Sequence, residues 1–148
     1  TAGLSTTEQD PRARWKRVQA SPDIVGADLV KDVTCEHAYE WPMMGRGHDP
    51  QPKHIVVMDF GVKHNILRQL ASLGCTVTIV PAETSANDVM ATQPDGVVLS
   101  NGPGDPAAVT YAIETIRQLM GRTPMESSLF FNQSGDSLMV TPLMTRPA

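Results

Sequence analysis

The chain has 148 residues, of which 41% are hydrophobic and 19% charged, enough apolar content for one domain, with or without an appendage, to fold around a core. Twelve Lys and Arg against 16 Asp and Glu give a formal charge of −4, which argues against a nucleic-acid binder, since that needs a basic surface to hold phosphates. No apolar run nears the ~18 residues of a membrane span, no basic stretch leads into an apolar one as in a secretory signal, and Cys35 and Cys75 suggest neither a disulfide framework nor a metal site, so a cytoplasmic, reducing setting is expected.

In chain order, "TTEQDPRARWKRVQAS" predicts a helix around Pro11 to Ala20, with Thr7 or Asp10 as cap and Pro11 at a first helical position. "GADLVKDVT" reads as one more helical turn. "CEHAYEWP" reads as a short strand in which His37, Tyr39 and Trp41 alternate with Glu36, Ala38 and Glu40. "MMGRGHDPQP" is a linker by composition.

From His54 the pattern becomes regular. "HIVVMDF" is a β-branched strand. "VKHNILRQLASLG" predicts a helix with Ile66, Leu67, Leu70 and Leu73 on one face and Gly74 as its stop. "CTVTIVP" is a second strand, "TSANDVMATQ" a short helix capped by Thr84 or Ser85, and "DGVVLS" a third strand. "PAAVTYAIETIRQLMG" predicts a helix that starts at Pro106, carries Val109, Ala112, Ile113, Ile116 and Leu119 at helical spacing, and ends at Gly121. This alternation predicts an α/β fold: a partial doubly wound parallel sheet with helices on both faces, preceded by a short helical and irregular linker. After Thr123 the rhythm stops. "SSLFF" and "SLMVT" are readable as two strands around the turn "NQSGD".

In such sheets ligands bind at the carboxyl ends of the strands. "MDFGVK" and "LSNGPGDP" both fall there, so they are expected on one edge. Three readings of "LSNGPGDP" arise. A phosphate cradle fits a Gly-rich loop before a helix, but no P-loop or dinucleotide fingerprint is present, and Pro103 and Pro106 remove two N–H donors. A plain turn expects positive φ at Gly102 and Gly104. An oxyanion site would use a fixed N–H at Gly102 or Gly104 and needs a nucleophile on a neighbouring strand end.

The stretch from "DFGVKHNI" through "VPAET" to "LSNGPGDP" resembles the small, glutamine-hydrolysing subunit of carbamoyl-phosphate synthetase, with "GADLVKDVT" similar to the segment leading into that domain. The resemblance covers about Leu4 to Met125. It implies a class I glutamine amidotransferase domain in which a Cys thiolate, activated by a His that a Glu orients, attacks glutamine and forms a thioester. Ammonia then passes to a large subunit that uses ATP, Mg and bicarbonate to make carbamoyl phosphate for arginine and pyrimidine synthesis. Glutamine and that large subunit are thus the implied partners, with no nucleic acid, no membrane and no cofactor held by this chain. Gly102 and Gly104 match the loop that holds the substrate and stabilises the oxyanion, and Lys63 matches a lysine near the glutamine. Asn101 and Asp105 would shape the loop.

The resemblance also sets out three parts: a remnant and linker over 1–53, following an amino-terminal domain of the family; the first half of the amidotransferase domain over 54–125; and a divergent tail over 126–148. In the family a "G-x-C-x-G" turn carrying the nucleophile comes next. Here the chain reads "ESSLFFNQSGDSLMVTPLMTRPA", without Cys or His, so no catalytic residue is assigned. A frameshift, aberrant splice or truncated gene model is the expected origin of the tail. Unless "SSLFF" replaces the absent strand, one sheet edge is expected to be bare.

The remaining candidates are weaker. Cys75 is expected to pack as a small core residue, Cys35 has no His at a suggestive spacing, and Ser134 lacks a nucleophile-elbow context. His37, His48, His54 and His64 are scattered; His64 is expected to be a solvated or capping residue at a helix start. The family reading therefore predicts an inactive chain. Its alternative is a non-catalytic α/β module that binds the large subunit or glutamine. A generic receiver or flavodoxin-like domain also shows the rhythm, but a receiver needs clustered acids at strand ends, and only Asp59 sits suitably.

Overall fold

The computed structural model describes residues 3–7, 9–42 and 51–122. The expected linker over 43–50 and the hairpin, "SSLFF" strand and divergent tail expected beyond 122 lie outside these residues.

Helix α1 (Pro11–Gln19) is capped by Asp10, whose carboxylate accepts from the Arg12 N–H at 2.9 Å. It buries no residue. A 3-10 turn (Val30–Asp32) follows, where one helical turn was expected, and it plants Val30 in the core. The strands are β1 (Tyr39–Trp41), β2 (His54–Asp59), β3 (Thr76–Pro81) and β4 (Gly96–Leu99), and the sheet order is β1-β3-β2-β4. β2 runs parallel to both β3 and β4, with Asp59 opposite Pro81 and Met58 opposite Leu99. β1 pairs antiparallel to β3 and makes the sheet mixed. β2 is central and buried on both faces, so it reads as a continuous apolar run.

The predicted helices cover both faces. Ile55 and Val57 of β2, with Val77, Ile79 and Val98, face helix α2 (His64–Ser72) through Leu67 and Leu70. Val56 and Met58 point the other way and pack with Val80 and Val97. Helix α3 (Ala86–Ala91) covers that side through Ala86 and Val89, and helix α4 (Thr110–Arg122) through Ala112 and Leu119. Ser85 caps α3 by accepting from the Asp88 N–H.

Three local expectations are corrected. Leu73 is not on the buried face of α2: it is 78% exposed. The helix ends at Ser72, Leu73 is its cap, and Ala71 takes the inward place one turn after Leu67. Gly74 does stop the helix, at φ +85°. The helix expected from Pro106 is broken: Pro106–Ala108 form a 3-10 turn, Val109 leaves helical geometry at φ −88°, ψ +58°, and α4 begins at Thr110. Gly121 lies inside α4 rather than ending it.

Candidate functional site

Asp59 closes β2 and is buried, 5% exposed. Its Oδ1 accepts from the Gly61 N–H at 2.9 Å and the Val62 N–H at 2.7 Å, and its Oδ2 accepts from the Cys35 N–H at 2.9 Å. The first contact is the local turn that Asp makes two residues on; the third reaches 24 residues back. Charge-assisted bonds to three amides offset the burial of this carboxylate. Gly61 follows at φ +117°, a conformation L side chains rarely adopt. Lys63 is the N-cap of α2 and exposed, and no described residue pairs with its ammonium.

The loop after β4 is fixed just as closely. Buried Ser100 donates its N–H to the Met58 carbonyl at 3.2 Å, and its hydroxyl accepts from the Phe60 N–H at 2.9 Å and donates to the Asn101 carbonyl. Asp105 caps the 3-10 turn by accepting from the Ala107 N–H at 2.9 Å, while its other oxygen accepts from the Gly26 N–H at 2.8 Å. These two amides, Gly26 first, hold the Asp105 carboxyl below the usual carboxylate range.

The two glycines of this loop do different things. Gly104 has φ +89°, as expected, and an added Cβ would lie 2.6 Å from the Ala27 carbonyl oxygen. Gly102 does not have positive φ, contrary to expectation. It is required by proximity: a Cβ there would collide with the Phe60 carbonyl oxygen and lie 3.0 Å from the Phe60 Cβ. "DFG" and "NGPG" are therefore packed backbone to backbone. Among the described residues, neither Gly102 nor Gly104 donates its N–H to an acceptor.

Where the loops meet, an open cleft of about 340 Å³ is lined by Val33, Tyr39, Asp59, Gly61, Val62, His64 and Pro103. Burial, with the Asp59 charge behind it, raises the Tyr39 phenol above its ordinary pKa. His64, exposed at the start of α2, lines the cleft and leans on Trp41 with ring centroids 5.2 Å apart. The structure thus brings the two predicted loops to one edge. It adds Val33 and Tyr39 from the amino-terminal stretch, which sequence reading had not connected to the site. It also gives Asp59 an organising role; the Asp-x-Gly turn pattern was its only local signal.

The other titratable candidates fall elsewhere or are poorly disposed. Cys75 precedes β3, at the opposite end of the strands, ~17 Å away for five residue steps of β structure. It packs against the α2-facing core, and burial raises its thiol pKa, helped by Asp95. Cys35 adjoins Asp59, and burial first, then the Asp59 charge, pushes its thiol up to about 11; a nucleophile needs the reverse. His54 hydrogen-bonds Thr78 at 2.8 Å at the start of β2. His48 and Ser134 lie outside the described residues. Among the described residues, no helix is long and apolar enough to cross a membrane.

Residues 56–125 match the family model of class-I glutamine amidotransferases. Over 133 residues, 84% of the chain, the sequence is 48% identical to the carbamoyl phosphate synthase small chain of Syntrophotalea carbinolica, covering 35% of that protein. It is 56% identical over 110 residues, 70% of the chain, to the carbamoyl phosphate synthase small chain of Neisseria meningitidis serogroup A, covering 29% of it. To the chloroplastic small chain of Oryza sativa it is 48% identical over 109 residues, 69% of the chain and 24% of the relative. The chain spans about a third or less of the length of these curated relatives. The chain thus belongs to the carbamoyl phosphate synthase small chain family, with residues 56–125 matching the class-I glutamine amidotransferase model.

Proposed function

We propose that this chain carries the substrate-cradling half of a glutamine-hydrolysing site, without the groups that perform the chemistry. The observation that carries this reading is the pair of N–H groups at Gly102 and Gly104, unclaimed by any described residue and held rigidly at the carboxyl edge of the sheet. Two such donors suit the oxygen of a glutamine amide as it becomes an oxyanion. Lys63, exposed beside the same edge, suits the carboxylate of an amino-acid substrate. In the complete assembly, the ammonia released from glutamine would pass to a large subunit that uses ATP and Mg to make carbamoyl phosphate, in a cytoplasmic setting.

The chain's two cysteines are Cys35 and Cys75, and neither has the environment of an activated thiolate. The full chain is therefore expected to show no glutaminase activity. It is expected to show glutamine-dependent shifts of the Gly102 and Gly104 amide resonances, with Lys63→Ala weakening the response about tenfold, the equivalent of one charge-assisted bond. Glutamine hydrolysis that is lost on replacing Cys35 or Cys75 would overturn the assignment of inactivity. Unmoved amides up to the solubility limit of glutamine would overturn the assignment of the cradle. The non-catalytic alternative, docking to the large subunit, is favoured instead if the chain co-purifies with that subunit while its amides ignore glutamine.

A further inference from the structure

Residues 26–35 cross the carboxyl edge of the sheet and bond in turn to the loops after β4 and β3 and to the last residue of β2. At one end, the Gly26 N–H donates to Asp105 at 2.8 Å and the Asp105 N–H donates back to the Ala27 carbonyl at 3.0 Å, which holds the loop after β4. Near the other end, the Thr34 hydroxyl oxygen accepts from the Ala82 N–H at 2.9 Å, just after β3. The next residue, Cys35, donates to Asp59, the last residue of β2, at 2.9 Å. Between these ends, Val30 is 3% exposed in the core, and the Lys31 ammonium lies 5.4 Å from the centre of the Tyr111 ring on α4. Val33 stands against Gly61, 3.1 Å from where a Cβ would be, and Pro103 reaches the same point at 3.2 Å.

We propose that residues 26–35 act as a strap that couples the three strand-end loops into one cooperative unit, with Asp105 and Asp59 as the positioning residues that fasten it. No single bond is strong enough to hold ten ordered residues against the entropy of the free chain. The fastenings therefore have to be made together and lost together, as in a local unfolding unit whose stability lies below that of the sheet. Val33 of the strap and Pro103 of the loop it fastens both line the cleft, so opening the strap removes part of the cleft wall. The proposal stands on the hydrogen bonds alone and does not depend on what the cleft binds.

The test is amide hydrogen exchange on the full chain. Asp105→Ala removes the acceptor for Gly26 and Ala107. It is expected to accelerate exchange at Cys35 and Ala82, neither of which Asp105 touches, by at least tenfold, with Val57 in the sheet unchanged. Thr34→Val, a milder change at the other end, is expected to accelerate Gly26 and Asp105 in return, because coupling between sites is reciprocal. Acceleration confined to the amides next to each substitution overturns the proposal. Uniform acceleration in both variants, Val57 included, also overturns it, since the strap would then have no opening of its own apart from the sheet.

Discussion

Replacing Gly102 and Gly104 by Ala separates two reasons for glycine. At Gly104 the new Cβ meets both. A positive φ of +89° costs an L residue about 1–2 kcal/mol, and the Ala27 carbonyl 2.6 Å away adds an overpacking cost of about 1–3 kcal/mol. The lower entropy of the unfolded Ala chain offsets about 0.4–1 kcal/mol of this, at Gly104 as at Gly102 and Gly74. Gly104→Ala is therefore expected to lose about 1–4 kcal/mol. Gly102→Ala has no φ cost, but its neighbour is the Phe60 carbonyl, whose residue is pinned by Ser100 at 2.9 Å; about 1–3 kcal/mol is expected. Gly74, at φ +85° with nothing within 4 Å, is the control for φ alone, at about 1–2 kcal/mol. Urea unfolding of the full chain measures these losses, and for a chain of this length each kcal/mol moves Tm by about 2–4 °C. If Gly102→Ala is neutral, "DFG" and "NGPG" are not packed as described. If Gly104→Ala costs no more than Gly74→Ala, the strap does not press on the loop.

Three further outcomes are expected. Leu67→Ala, at a fully buried position, costs about 2–5 kcal/mol, while Leu73→Ala at 78% exposure leaves the unfolding midpoint within error; equal losses would place Leu73 in the core after all. With its thiol raised to about 11, Cys35 at pH 8 is ~0.1% thiolate, so iodoacetamide should modify it far more slowly than a free cysteine, and labelling as fast as in the unfolded chain would refute the burial argument. Asp95 accepts from the His54 N–H at 2.8 Å and pairs with Lys53 at 3.4 Å, which hold its carboxyl below its ordinary 3.8. A pKa lowered by folding means stability present above that value and lost as pH falls through the folded one. The loss caused by Asp95→Asn should thus be present at pH 7 and fade below pH 3.8; a loss that persists undiminished in acid would assign the effect to the side-chain amide's shape rather than to charge.

The strands and helices were legible because each buried face repeats. Ile55 and Val57 against Val56 and Met58 spell a two-sided strand, and Leu67 with Leu70 spells one side of a helix. The errors fall where periodicity hands over to local geometry. Leu73 continues the apolar spacing, but the chain has already left the helix. Val109 sits in helical spacing yet breaks the helix, because the 3-10 turn set by Asp105 and Pro106 must first be closed. The loop's place at the carboxyl edge was legible from topology alone. The reason for Gly102 was not: a close approach to Phe60, 42 positions earlier, leaves no trace in local composition. Nor could spacing reveal that Val33 and Tyr39 border the same cleft, since the contacts that fasten their segment run through single side chains of Asp59 and Thr34.

What these polar groups do at the edge narrows what the cleft can take. Carboxylates at a strand end invite an acid–base reading, but here Asp59 accepts three backbone N–H groups and Asp105 two. Their charge is committed to holding loops, and as acceptors they are largely filled. The donors are distributed the other way. Pro103 and Pro106 have none to give, the amides of Gly61, Val62, Asp105 and Ala107 are bonded within the fold, and those of Gly102 and Gly104 stay open among the described residues, with exposed Lys63 at the N-cap of α2. An edge that has filled its acceptors and left donors open is suited to a ligand that brings oxygens, such as an amide carbonyl together with a carboxylate. A cationic or purely apolar ligand would leave those donors unpaired at a cost of about 1–3 kcal/mol each once desolvated. The order of discrimination follows: glutamine or glutamate should compete for the cleft and lysine and leucine should not, and because all four bring the same α-carboxylate, removing Lys63 should weaken binding without erasing that difference.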